Sequence, residues 1–269
     1  MSPTRCYIVC CNFRSGSYLL CEGLASTGTA GYPKERFPPL SQLNDRHCVQ
    51  RKTLQNPMVD AGLIGLSYNE ADDAEYVAGI LCDDTTPNGV FGSKLHWPQL
   101  ADALPRLRNY LGCGDLPLIE VLDRTFPSLS YIWLTRTDKV AQAISWYRAL
   151  CTGEFSQTQA SRPGPRDAAT RVAYDHASIR RLLHALQSFD NSWKYFFRSN
   201  NITPICLSYE QLTANYESAV TSTLAALGIS RDLRIRLPPP RLQKQADSIS
   251  DEWRRSFVGA NRSRQRGSK

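Results

Sequence analysis

Arg14, Ser15, Gly16 and Ser17 follow an apolar run, Tyr7–Cys11, and precede Leu19, Leu20 and Leu24 at helical spacing. A strand, a tight loop and a helix in that order aim the helix's first amides at whatever the loop holds. Those amides lack intrahelical acceptors and the helix dipole favours negative charge, so the loop suits an anion. Gly16 permits close backbone approach or a positive φ, the serines add hydroxyl donors, and Arg14 adds a charged fork. The loop lacks the Gly-Lys-Ser/Thr ending of an ATPase phosphate loop. Alone, these residues would equally make a serine-capped helix start. Arg136 shifts the balance, because it follows the apolar run Ser130–Thr135 and precedes a helical pattern from Asp138 that carries Ser145. It therefore stands at the carboxyl end of a strand, the edge where open α/β sheets bind ligands. Singly, Arg136 would pair with Asp138 and Ser145 would be a surface hydroxyl. Two matched basic loops suit a ligand with two separate phosphate-like groups.

The elements that must position these residues read as an alternation. Strands are expected at Tyr7–Cys11, Gly89–Leu95, Ser130–Thr135 and Pro204–Leu207. Helices are expected at Ser17–Ser26, Pro98–Leu111, Asp138–Leu150, from about Arg166 to Ser199, and at Tyr209–Leu227. Continuous apolar strands alternating with helices predict a single α/β domain, a central mostly parallel sheet flanked by helices. Residues 31–88 read as loops with inserted helices, and residues 152–167, rich in Pro and Gly, as a mobile lid. The domain is expected over residues 1–258, with a basic, disordered tail over 259–269.

The chain has 269 residues, is 42% hydrophobic and carries a formal charge of +7. Six basic residues and no acidic ones lie between Arg254 and Lys269, which leaves a near-neutral body. That distribution argues against a nucleic-acid-binding protein working through its tail. No apolar run is long enough to span a bilayer, and the amino terminus has no secretory pattern, so a cytoplasmic location is expected. The nine cysteines are scattered without a Cys-x-x-Cys pair. They read as buried hydrophobes of a reducing compartment, Cys10 and Cys206 among them, and no metal is expected.

At this point the motifs resemble a known family. "RSGS" after the first strand and "TRTDKVAQAISW" with its Arg and downstream Ser look like a sulfotransferase. More closely, "YIVCCNFRSGSYLLCEGLASTGTAGYPKERF", "TPNGVFGSKLHW", "RTDKVAQAISWYRA" and "LQKQADSISDEW" resemble, in order, the bacterial trehalose 2-sulfotransferase family. The resemblance implies a P-loop-like sulfotransferase fold and 3′-phosphoadenosine 5′-phosphosulfate (PAPS) as co-substrate. It places the 5′-phosphosulfate in the Arg14, Ser15, Gly16, Ser17 loop and the 3′-phosphate on Arg136 and Ser145. Lys244 stands where relatives carry Arg, and would close over the nucleotide as a point charge. Family members form homodimers. The acceptor implied is a hydroxyl of a saccharide or glycolipid.

Sulfuryl transfer needs in-line attack by that hydroxyl, with cations for the developing charge, by analogy with phosphoryl transfer. Arg14 is the first choice for that charge, and Lys94 a second. Two residues compete for the base that takes the acceptor's proton. Glu35, in "GYPKERF", matches the family's catalytic glutamate. His96, in "SKLHWP", lies two residues after a lysine, as in many animal and plant cytosolic sulfotransferases. Tyr18 replaces a Thr common in relatives. Phe13 and Tyr32 bring aromatic surface to positions that are polar in trehalose-specific relatives, a change compatible with sugar stacking. A nucleotide kinase or NTPase on the same sheet is the competing enzymatic reading, weakened by the missing lysine of the phosphate loop.

Overall fold

The first strand, β1 (Arg5–Cys11), is buried on both faces from Cys6 onward and lies inside a sheet with β2 (Val90–His96), β3 (Leu129–Thr135) and β4 (Ile205–Ser208). The order is β2-β1-β3-β4 and every pairing is parallel. The computed structural model describes residues 2–37, 73–152, 155, 172–230, 237–239 and 248–266. The expected four-strand parallel sheet is present, with strand ends displaced by a residue or so.

Period-two alternation in β1 divides the core. Cys6, Ile8 and Cys10 join Phe91, Leu95 and the helices α2 (Asp73–Asp83), α3 (Leu100–Leu111) and α4 (Leu118–Thr125). Tyr7, Val9 and Cys11 face the other way, onto Leu20, Cys21 and Leu24 of α1 (Ser17–Ser26). On that side α1 is joined by two further helices, α7 (Tyr209–Ala214) and α8 (Tyr216–Ala226). A third cluster ties α5 (Lys139–Thr152) to α6 (His176–Ser199) and α9 (Ser248–Arg266) through Ile144, Ile179, Leu186, Trp253 and Phe257. Each such buried large side chain contributes about 1.5–3 kcal/mol.

Several elements differ from the sequence expectation for local reasons. The single helix expected over Tyr209–Leu227 is two, because Asn215 leaves helical geometry and its side chain caps α8 by accepting from Ser218 N at 3.1 Å. Asp175 caps α6 by accepting from the amides of Ala177 and Ser178, which sets the start at His176. The short α4 falls in a stretch given no element by its sequence. The expected lid at 152–167 lies outside the described residues except for Thr152 and Phe155, as do residues 38–72. Helix α9 runs on to Arg266, through much of the segment read as a tail. Cys206 corrects an expectation: it is exposed, because β4 is the edge strand and offers one side to solvent. Cys82 and Cys151 are exposed as well. Among the described residues no helix is long and apolar enough to cross a membrane.

Candidate active site

Strand order 2-1-3-4 makes β1 and β3 the pair whose following chains leave in opposite directions, the crevice where doubly wound sheets take ligands. Both basic loops open there. Arg14 takes a positive φ of 62°, and Gly16 one of 83° as it caps α1 without any side-chain hydrogen bond. Arg14 Nε donates to Ser145 Oγ at 2.9 Å, and Nη1 donates to the Phe155 carbonyl. From β3, Arg136 Nη1 donates to the Arg14 carbonyl at 3.3 Å while its guanidinium lies 4.5 Å from the Tyr209 ring. Burial, and then the neighbouring Arg136 charge, pull Arg14 down to about 10; burial lowers Arg136 as well. Among the described residues neither guanidinium has a carboxylate at ion-pair distance. Ser15 Oγ and Arg136 Nε are buried with no hydrogen-bond partner. Such atoms ordinarily find partners, and two neighbouring like charges repel, so this pair leaves donors and positive charge for an anion to satisfy.

Ser145 Oγ, on the helix after β3, accepts from Arg14 Nε and so joins that helix to the loop after β1. Ser17 is buried beside Cys11 and helps to lower the Cys11 thiol by hydrogen bonding. Lys244 lies outside the described residues.

A second cluster centres on Glu35. The segment Lys34–Glu35 lies parallel to β2, bridging at Lys34 and Ser93, with Lys94 N donating to Lys34 O at 3.0 Å. Lys94 and His96 pair in register with Val9 and Cys11, so both project from the same face, toward α1. Glu35 Oε2 therefore meets Lys94 Nζ at 2.5 Å and His96 Nε2 at 3.5 Å. Lys94 and Glu35 form a buried ion pair. Tyr18 Oη donates to the same oxygen at 3.3 Å, and Gln99 Nε2 donates to Oε1 at 2.5 Å. Burial pushes the Glu35 carboxyl up, but the charges of Lys94 and His96 outweigh it and hold the group well below the usual carboxylate range. Burial lowers His96, and the Cys11 and Glu35 charges more than reverse this, to about 9. The two candidate bases thus belong to one cluster. Tyr18 carries its hydroxyl to Glu35.

Residues 6–259 match the family described as Stf0 sulphotransferase. The chain is 34% identical to a trehalose 2-sulfotransferase of Mycolicibacterium smegmatis, with 93% of each chain covered. It is 31% identical to a trehalose 2-sulfotransferase of Mycobacterium tuberculosis, covering 93% of this chain and 92% of that one. The chain belongs to the Stf0 sulphotransferase family.

In this Stf0 chain the supports of both loops were not legible beforehand. Asn12 Nδ2 donates to Asp190 Oδ1 at 2.5 Å, Lys139 Nζ pairs with Asp190 Oδ2 at 2.5 Å, and Gln142 Nε2 donates to the Phe13 carbonyl at 2.7 Å. Helices α5 and α6 so fix the start of the anion loop. Asp84, fully buried, receives Arg36 through both carboxylate oxygens and Lys34 at 3.1 Å, which anchors the residues on either side of Glu35. An acid in a loop-like stretch fifty residues from its partners gives no local signal. Phe13 also corrects an expectation. Its ring stacks between His96 and Trp146, with centroids at 4.5 and 4.7 Å, so neither face is open to a sugar. Tyr32 is exposed.

Proposed function

We propose that the protein transfers the sulfuryl group of PAPS to a hydroxyl of a saccharide or glycolipid acceptor. The observation that carries this reading is the pair of part-buried guanidiniums, Arg14 and Arg136, converging on one crevice with orphaned donors and, among the described residues, no carboxylate at ion-pair distance. The donor set fits the nucleotide: backbone amides opening α1, the hydroxyls of Ser15 and Ser17, and two arginines. Bound there, PAPS would supply the sulfuryl group and a phosphate leaving group that takes the electron pair of the broken bond. Arg14, Ser15 and Ser17 would hold the phosphosulfate end, with Gly16 letting the backbone approach. Arg136 and Ser145 would hold the 3′-phosphate, with Lys244 the closing cation.

Glu35 is the group we assign to the acceptor's proton. It is ionised at neutral pH, and its carboxylate is fixed from four directions. Held by two cations it is a weak base, so its partners must loosen when substrates bind. Lys94 is suited to that role. An arriving anion would draw the Lys94 ammonium from the carboxylate and raise the basicity of Glu35.

The saccharide acceptor is carried by the names of the two mycobacterial relatives, and a homodimer by the family resemblance. The deciding experiment incubates the protein with PAPS and a panel of sugars and glycolipids, trehalose included, and reads the mass gain of one sulfuryl group. Transfer to at least one saccharide is expected; consumption of ATP in place of PAPS would overturn the reading.

A further inference from the structure

Behind Glu35 stands a second layer that the proposed reaction leaves without a role. His96 is buried, and its ring is clamped on a face by Phe13. Its Nε2 lies 3.5 Å from Glu35 Oε2, and its Nδ1 lies 3.5 Å from Cys11 Sγ. The register Cys11↔His96 places the two side chains next to each other on adjacent strands. Cys11, His96 and Glu35 therefore form one line, from the interior of the sheet to the candidate base.

We infer that Cys11 is a positioning residue of the transfer reaction, fixing His96 with its Nε2 proton toward Glu35 and sharing the charge of the ring. The inference rests on the reading that Glu35 takes the acceptor's proton. The proton inventory supports it. With the proton on sulfur, Nδ1 accepts it in a hydrogen bond and Nε2 keeps its own hydrogen. With the proton moved to Nδ1, the thiolate accepts, and Nε2 again keeps its hydrogen. In both forms His96 donates to Glu35, and the Cys11–His96 pair carries no net charge. A full imidazolium against Glu35 without that thiolate would depress the base further.

The surroundings favour the shared form. Burial alone would raise the Cys11 thiol, but His96, then Lys94 and the Ser17 hydroxyl, pull it below its usual range. The ionisable groups facing this line are Lys94 from β2, Tyr18 and Cys21 from α1, and Glu35 itself. Cys10, adjacent in β1, faces the other side of the sheet, and burial pushes its thiol well up.

The test compares Cys11→Ala and Cys11→Ser with the wild-type chain. Both should bind adenosine 3′,5′-bisphosphate normally. Cys11→Ala should lower kcat about tenfold, the small end of what proton-transfer geometry contributes. The ring titration of His96, followed by NMR, should fall from about 9 by more than one pH unit. Cys11→Ser keeps a donor to Nδ1 but cannot ionise near neutral pH, so its kcat should lie between the two. An unchanged kcat and titration in Cys11→Ala would overturn the inference, as would a matched loss of nucleotide binding and turnover. If Cys11→Ala does not fold, the wild-type titration decides, and a ring value at or below 6.5 would overturn it. A wild-type chain that transfers nothing, yet shows the raised titration, would count against the proposed reaction while leaving the coupling of Cys11 to His96 in place.

Discussion

Arg136 Nη1 donates to the main-chain carbonyl of Arg14, so the loops after β1 and β3 are joined before any ligand arrives. Removing Arg136 should therefore act on nucleotide recognition in a selective way. Arg136→Ala should weaken adenosine 3′,5′-bisphosphate by about 10- to 100-fold, the equivalent of a charge-assisted contact of about 1.5–3 kcal/mol. A nucleotide without the 3′-phosphate should lose much less. Calorimetric titration of both ligands checks this, and equal losses would make Arg136 a brace for Arg14 and nothing more.

Gly16 tests the anion loop from the backbone side. Its φ of 83° disfavours any side chain, and a Cβ there would meet Tyr209 Cδ2 at 2.5 Å. Gly16→Ala should lose about 1–2 kcal/mol from the left-handed conformation alone, with a further loss from the clash. The bisphosphate should then stabilise the variant far less in thermal melts. Adding Tyr209→Ala relieves the clash but not the strained φ, so the double variant should recover only part of the stability.

Asp84 offers a test of how the Glu35 segment is held. Truncating it to Ala leaves Arg36 without its buried partner, a class of change that costs about 3–5 kcal/mol. Asp84→Asn keeps the shape and part of the hydrogen bonding, so it should fold with a lower Tm. Its kcat should fall while bisphosphate affinity stays near normal, because the carboxylate anchors the acceptor side only. A joint loss of both would show that Asp84 supports the whole fold.

The sheet and the strand–loop–helix turn at Arg14–Ser17 were legible because their signals are local. The apolar run of β1, its abrupt stop and the leucine spacing of α1 lie within some twenty residues. The same holds for Arg136 and the helix after it. What stayed hidden depends on long-range pairing. Nothing near Asp190 announces that it holds Asn12 and Lys139, or near Asp84 that it holds Arg36. The choice between Glu35 and His96 could not be read from the chain either, since only strand register and the Lys34–Ser93 bridge bring the two together. The hydrogen bond between Arg14 and Ser145 was hidden for a similar reason. The place of Ser145 on α5 was evident, but the direction from which Arg14 reaches it was not.

The last prediction concerns that shared cluster. Glu35→Gln should bind PAPS normally and lose turnover by a factor of about 10²–10⁴, the contribution of a positioned base. His96 meets the Glu35 carboxylate through Nε2 and is assigned a positioning role, so His96→Asn should lose less. The double variant should be no slower than Glu35→Gln alone, as expected of residues acting in one line. Lys94→Met supplies the pH test. In the wild type, Glu35 titrates well below its unfolded value near 4.3. Its contribution to stability is complete above that value and is lost as pH falls through the folded one. Removing the ammonium lets burial push the carboxyl up. The acid limb of kcat/KM should then move toward neutrality by at least one pH unit, and acid unfolding should begin at higher pH. An acid limb that stays in place would show that Lys94 does not govern Glu35. A dead His96→Asn beside a near-normal Glu35→Gln, both still binding PAPS, would transfer the proton-accepting role to His96.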